Sequence, residues 1–120
     1  MFGFGSSKLP GEWRTITSIA DLNTAIEVSH HEPVVLFKHS TRCSISSMAL
    51  NRLSSEINSE TPLIYYLDLI AHRDVSNTIA EQLHVYHESP QVIVVKNGEA
   101  VYDESHGGIR MSEIQSVINS

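Results

Sequence analysis

Val34-Val35-Leu36-Phe37-Lys38-His39-Ser40-Thr41-Arg42-Cys43-Ser44-Ile45-Ser46 is the stretch whose reading decides the fold. The apolar run from Val34, closed by Lys38, is what a strand buried on both faces shows. A polar loop follows. Ile45, Met48, Ala49, Leu50, Leu53 and Ile57 then recur at helical spacing, which predicts a helix over residues 44–59. Cys43, the only cysteine of the chain, stands where loop meets helix. The pattern is that of a strand delivering a thiol to a helix N-terminus.

Toward the N-terminus, Pro33 ends a preceding helix, because a residue before proline is pushed out of the helical region. That helix carries Ile19, Leu22, Ala25, Ile26 and Val28, with Ser18 as its cap. Trp13 to Thr17 suggests a short edge strand. Residues 1–12, with Gly3, Gly5, Ser6, Ser7, Pro10 and Gly11, read as a flexible lead-in to a domain over 13–120.

Toward the C-terminus, Pro62 blocks extension of the helix after Cys43, and Leu63 to Leu69 reads as another buried strand. Asp74, Val75, Ile79, Ala80 and Leu83 predict a helix over about 73–83. Pro90 donates no ladder hydrogen bond, so it belongs at the very start of the strand that runs to Lys96. Asn97-Gly98 is a strong hairpin signal, with Glu99 to Ser105 as the returning strand. Gly107-Gly108 makes a tight turn before an amphipathic helix from Met111 to Ile118. The order β-α-β-α-β-α-β-β-α predicts one α/β domain. Right-handed crossovers make the early strands parallel, in a mixed sheet of four to five strands with helices on both faces.

The bulk composition excludes several functions. Eight basic against 14 acidic residues give a net charge of −6 with no basic cluster, which is unsuited to nucleic acid. No apolar run approaches the ~20 residues of a membrane span. Met1 to Ser7 has neither a basic leader nor a sustained apolar core, so no secretory signal is expected. One cysteine cannot make an intramolecular disulfide, and a reducing cytoplasm is the expected compartment. The seven histidines show no zinc-type spacing, so no metal is expected.

A cysteine at a helix start lies beside unpaired N–H groups and the positive end of the helix dipole. Such placement lowers a thiol pKa from about 8.5 to roughly 3.5–7.5. Arg42 acts in the same direction, and Lys38 or His39 would add to it by facing the loop. Ser40, Thr41, Arg42, Ser44 and Ser46 make a polar setting, which favours a reactive thiol over a small buried hydrophobe.

A strand leading to Cys43-Ser44-Ile45-Ser46, a later Ser89-Pro90, a hairpin and Gly107-Gly108 together resemble the thioredoxin fold, over residues of about 13–119. Ser46 in place of a second cysteine marks a monothiol variant. Phe37-Lys38-His39-Ser40 followed by Cys43-Ser44-Ile45-Ser46 is similar to the monothiol bacilliredoxins of the YtxJ family. Many of those carry proline where this chain has Ser44. The resemblance implies an oxidoreductase that removes bacillithiol from protein mixed disulfides, with Cys43 as nucleophile. Bacillithiol would be a thiol co-substrate and no cofactor would be needed. The implied partners are bacillithiolated client proteins and a low-molecular-weight thiol or reductase that recycles Cys43.

Ser46 lies three residues past Cys43, where its hydroxyl either supports the thiolate or is a plain first-turn serine. The resemblance makes Ser89-Pro90 a cis bond beside the substrate, with Thr41 also bordering the groove. Gly107-Gly108 would hold an anionic part of the small thiol, with Arg110 as an additional carboxylate contact. Asp68 is either a strand end returning to solvent or a proton acceptor. His39 either tunes the thiol or closes its strand. Two other functions fit the same residues: a non-catalytic thioredoxin-like binding module, and a glutaredoxin-like enzyme for another small thiol.

Overall fold

The computed structural model describes residues 13–40, 44–58 and 61–120. Among these residues, five strands and four α-helices follow one another as β1 (Arg14–Ile16), α1 (Ile19–Val28), β2 (Val34–His39), α2 (Ser44–Ser55), β3 (Leu63–Asp68), α3 (Arg73–Leu83), β4 (Gln91–Lys96), β5 (Glu99–Ser105) and α4 (Met111–Ile118). The strands form one sheet in the order β1-β3-β2-β4-β5. β1, β3 and β2 are parallel, whereas β4 is antiparallel to both β2 and β5.

Alternation along β2 divides the core in two. Val34 and Leu36 pack with Leu22 and Ala25 of α1 and with Val75 and Ile79 of α3. Val35 and Phe37 point the other way, against Ala49, Leu50 and Leu53 of α2 and Ile114 of α4. All six residues of β2 are buried. This is the layered arrangement the element order predicts. The Asn97-Gly98 turn has positive φ at both residues, 53° and 79°, matching the twist of β4 and β5.

Two boundaries differ from expectation. Lys38 does not return the chain to solvent, because β2 continues through His39 and Lys38 is fully buried. α2 stops at Ser55, four residues short of the predicted end. There the N–H of Glu56 bonds Leu53 O at 3.2 Å, a tightened final turn. The Glu56 carboxylate accepts the Met111 N–H at 2.9 Å and so caps α4.

The ladders also decide what meets at the end of β2. Lys38 lies opposite Gln91 and His39 opposite Asp68. The end of β2 at His39 therefore lies between the end of β3 and the start of β4.

The inward face of α2 should dominate its contribution to stability. Leu53→Ala, at a fully buried position, should cost about 2–5 kcal/mol in urea denaturation. Met48→Ala, at a position 61% exposed, should stay within about 0.5 kcal/mol of wild type.

Candidate active site

Thr41, Arg42 and Cys43 lie outside the described residues. The residues on either side of them are held together. Ser46 is fully buried and shares the inward face of α2 with Ala49, Leu50 and Leu53. Its Oγ accepts the N–H of Ser40 at 3.2 Å, joining the end of β2 to the first turn of the helix. A hydroxyl that accepts one hydrogen bond still has its own proton to donate. α1, α3 and α4 carry Asp21, Asp74 and Glu113 in their first turns, but α2 has no acid there. Its positive end is thus not neutralised by a carboxylate of its own first turn.

The Ser89-Pro90 peptide is cis. Pro90 is buried, and its carbonyl accepts the His106 N–H at 3.0 Å, which brings the Gly107-Gly108 segment beside it. His106–Gly108 forms a short 3-10 turn. A Cβ at Gly107 would meet nothing within 4 Å, but one at Gly108 would run into the Glu104 carboxylate. An anion arriving at Gly108 therefore meets a like charge, while Gly107 faces open space.

Arg110 does not join this group. Its guanidinium pairs with Glu56 at 3.3 Å, beyond the last turn of α2 and roughly 18 Å along the helix axis from Ser44. The structure thus brings Ser46, Ser89, Pro90 and Gly107 to the same end of the sheet and takes Arg110 elsewhere. Ser89 Oγ is buried with no partner among the described residues.

Lys38 and His39 close β2 on opposite faces. His39 Nδ1 lies 2.9 Å from the Tyr66 hydroxyl, in a ring cluster with Phe37 on the α2 side of the sheet. Its Nε2 is buried without a partner among the described residues. Burial pushes the imidazole below its ordinary range against an opposing pull from Asp68, which favours the neutral ring. Asp68 itself accepts the N–H groups of Ile70 at 3.1 Å and Ala71 at 3.4 Å, shaping the turn after β3.

On the other face, Lys38 Nζ lies 2.8 Å from His87 Nδ1. His87 belongs to the loop before Pro90, and composition carries no signal for this contact beyond a lysine in an apolar strand. Tyr66 is likewise a partner that sequence alone does not assign. Among the described residues, no three His, Cys, Asp or Glu side chains gather as metal ligands. No described helix is long and apolar enough to cross a membrane.

Burial holds the Lys38 ammonium down at about 8, with Glu88 pulling weakly the other way. Between that value and the ordinary 10.5, the unfolded chain keeps a proton that the folded chain has lost. Stability from this group therefore rises with pH across that window. Lys38→Met, which removes a buried ammonium without a carboxylate partner among the described residues, should raise the denaturant midpoint at pH 7. The gain over wild type should shrink as pH climbs from 8 to 10. Tyr66, pushed by burial up to about 12, acts oppositely above pH 10 in both proteins, so their difference isolates Lys38.

The chain resembles known proteins over nearly its whole length. A solved structure whose description names an oxidoreductase with a thioredoxin fold shares 33% identity and superposes with a TM-score of 0.80, covering 89% of this chain and 94% of that one. The fold recurs in a point variant of thioredoxin from Halobacterium salinarum NRC-1, at 13% identity and a TM-score of 0.68, covering 94% of this chain and 93% of the other. It recurs again in Fasciola hepatica thioredoxin, at 16% identity and a TM-score of 0.66, covering 88% and 96%. The model of the monothiol bacilliredoxin BrxC matches residues 14–114, a span that includes Cys43 and the segment around Pro90. With its thioredoxin fold and its one cysteine, the chain belongs to the monothiol bacilliredoxin family of thiol oxidoreductases.

Proposed function

We propose that the protein removes bacillithiol from mixed disulfides on client proteins, with Cys43 as the nucleophile. The observation that carries this reading is the family match across residues 14–114 in a chain whose only thiol is Cys43. In the first step the Cys43 thiolate attacks the bacillithiol sulfur of a client–S–S–bacillithiol bond. A new Cys43–bacillithiol disulfide forms, and the client leaves as a thiolate that takes a proton from solvent.

No second cysteine is available to resolve that adduct internally. A second thiolate, from a small thiol or a reductase, must attack the bacillithiol sulfur of Cys43–S–S–bacillithiol, which frees Cys43 as a thiolate and carries bacillithiol away in a new disulfide with the attacking thiol. The chemistry needs no cofactor, and a reducing cytoplasm supplies the recycling thiol.

Several local features support the reading. A first turn of α2 free of acidic side chains suits a thiolate placed before it. The Ser46 hydroxyl, anchored by the Ser40 N–H, keeps a proton to donate toward a sulfur. Ser89-Pro90 offers the client chain a backbone edge. Gly107 leaves room for a small ligand, but Arg110 is committed to Glu56 and does not border that space.

Incubation with a bacillithiolated client, followed by intact mass spectrometry, tests this. Wild type should free the client thiol and gain the mass of one bacillithiol, and Cys43→Ser should do neither. Equal cap removal by the two proteins would rule the mechanism out. A glutathionylated version of the same client should be reduced more slowly.

A further inference from the structure

The loop before Pro90 is tied down by side chains from three separate elements. Lys38 of β2 meets His87 Nδ1 at 2.8 Å. Ser76 of α3, also fully buried, lies 3.4 Å from the same nitrogen. Gln91 of β4, directly opposite Lys38, donates through Nε2 to Tyr86 O at 2.9 Å. Among the described residues, Lys38 makes no ion pair. A buried ammonium without a counter-charge costs stability that a methionine of similar length would not. Buried charges with perturbed titration cluster at functional sites, and this one lies opposite Gln91, the residue next to Pro90.

The chemistry of the contact is restrictive. An ammonium only donates, so His87 Nδ1 must offer its lone pair and carry its proton on Nε2. A proton added at Nδ1 removes the acceptor and sets two cations 2.8 Å apart. We propose that the Lys38–His87 bridge is a latch that positions the Ser89-Pro90 loop for the client chain, and that protonation of His87 opens it. Lys38 is then a positioning residue for the reaction proposed above, on which this role rests.

Other charges around the latch set its range. His87 is faced by Lys38 from β2, by Arg73 from α3 and by Glu88 from its own loop. Burial, Lys38 and Arg73 all disfavour its protonation, and only Glu88 opposes them. Glu88 is shared, since its carboxylate also lies 3.4 Å from His106 Nε2. The latch therefore stays closed through neutral pH and opens only below the usual histidine range. Above pH 8 a neutral Lys38 amine can still donate to the ring.

Two variants of the full chain separate the latch from simple packing. His87→Asn keeps an acceptor near the Nδ1 position but cannot take a proton, and Lys38→Met removes the donor. Amide hydrogen exchange over residues 84–91, corrected for intrinsic pH effects, is measured without substrate from pH 7.5 to 5. KM and kcat for a bacillithiolated client are measured over the same range. Wild-type exchange should accelerate about tenfold toward acid, as expected for loss of a charged hydrogen bond, and that of His87→Asn should not. Lys38→Met should exchange fast at every pH despite its higher denaturant midpoint. Its KM at pH 7.5 should rise at least about fivefold with kcat little changed. The wild-type to His87→Asn ratio of KM should be near one at pH 7.5 and climb toward acid.

PH-independent wild-type exchange, or a Lys38→Met protein matching wild type in KM, would overturn the latch. Should Lys38→Met not fold, the His87→Asn comparison decides by the same criteria. If wild type leaves the client capped at every pH, the functional reading fails and with it the positioning role. The exchange measurements alone then decide whether the bridge opens.

Discussion

β2 is buried from end to end, and a strand so placed must satisfy every backbone group from its neighbours. β3 on one side and β4 on the other provide those partners, in opposite directions. That single requirement arranges the remainder of the molecule. It puts the last residues of β2 against the end of β3 and the beginning of β4. A loop leaving β2 and a loop entering β4 are thereby forced to share one edge of the sheet. The end of β2 and the segment around Pro90, separated by about fifty residues, become neighbours through ladder geometry alone.

The end of the same strand carries two polar side chains into the interior. Alternation sends Lys38 to the α3 face and His39 to the α2 face, so neither can help the other. Each finds a partner brought by a different element: His87 from the loop before Pro90, and Tyr66 from β3. Both arrangements are incomplete, since His39 Nε2 lacks a partner among the described residues and Lys38 lacks an ion pair there. Incomplete satisfaction of buried polar groups reduces stability, and both examples cluster beside the proposed active site. The hydrophobic layers on either side of β2 supply the surplus that tolerates them.

On the α2 side, charges are spent on architecture. Glu56 caps α4 through Met111 and pairs with Arg110, while Arg52 donates to Ile109 O at 2.9 Å. These contacts pin the segment after Gly108 to the rear of α2. They fix the turn that borders Pro90, but they withdraw Arg110 from ligand binding. What remains near Pro90 is an open Gly107 and a Gly108 already covered by Glu104.

Local chemistry made most elements legible in the amino-acid sequence. Ser18 accepts from the Asp21 N–H as an N-cap should, and Asn97-Gly98 turns with positive φ. Pro90 precedes β4, and the α3 and α4 bounds follow their apolar spacing, because each signal acts within a few residues of itself. The start of a helix at Ser44, next in the chain after Cys43, and the lack of a second cysteine were equally local facts. The stop of α2 at Ser55 was not legible, since Glu56 is turned toward a helix begun fifty-five residues later. Nor were the strand order, the burial of Lys38, or the diversion of Arg110 to Glu56. Those depend on which distant groups arrive at a given point, and hydrogen bonds and ion pairs between elements leave no periodic trace in the chain. The sequence by itself determined most of the elements and the presence of a single thiol, because those signals are local. Tertiary packing alone decided which polar side chains meet at the ends of β2 and β4, because their partners come from distant elements.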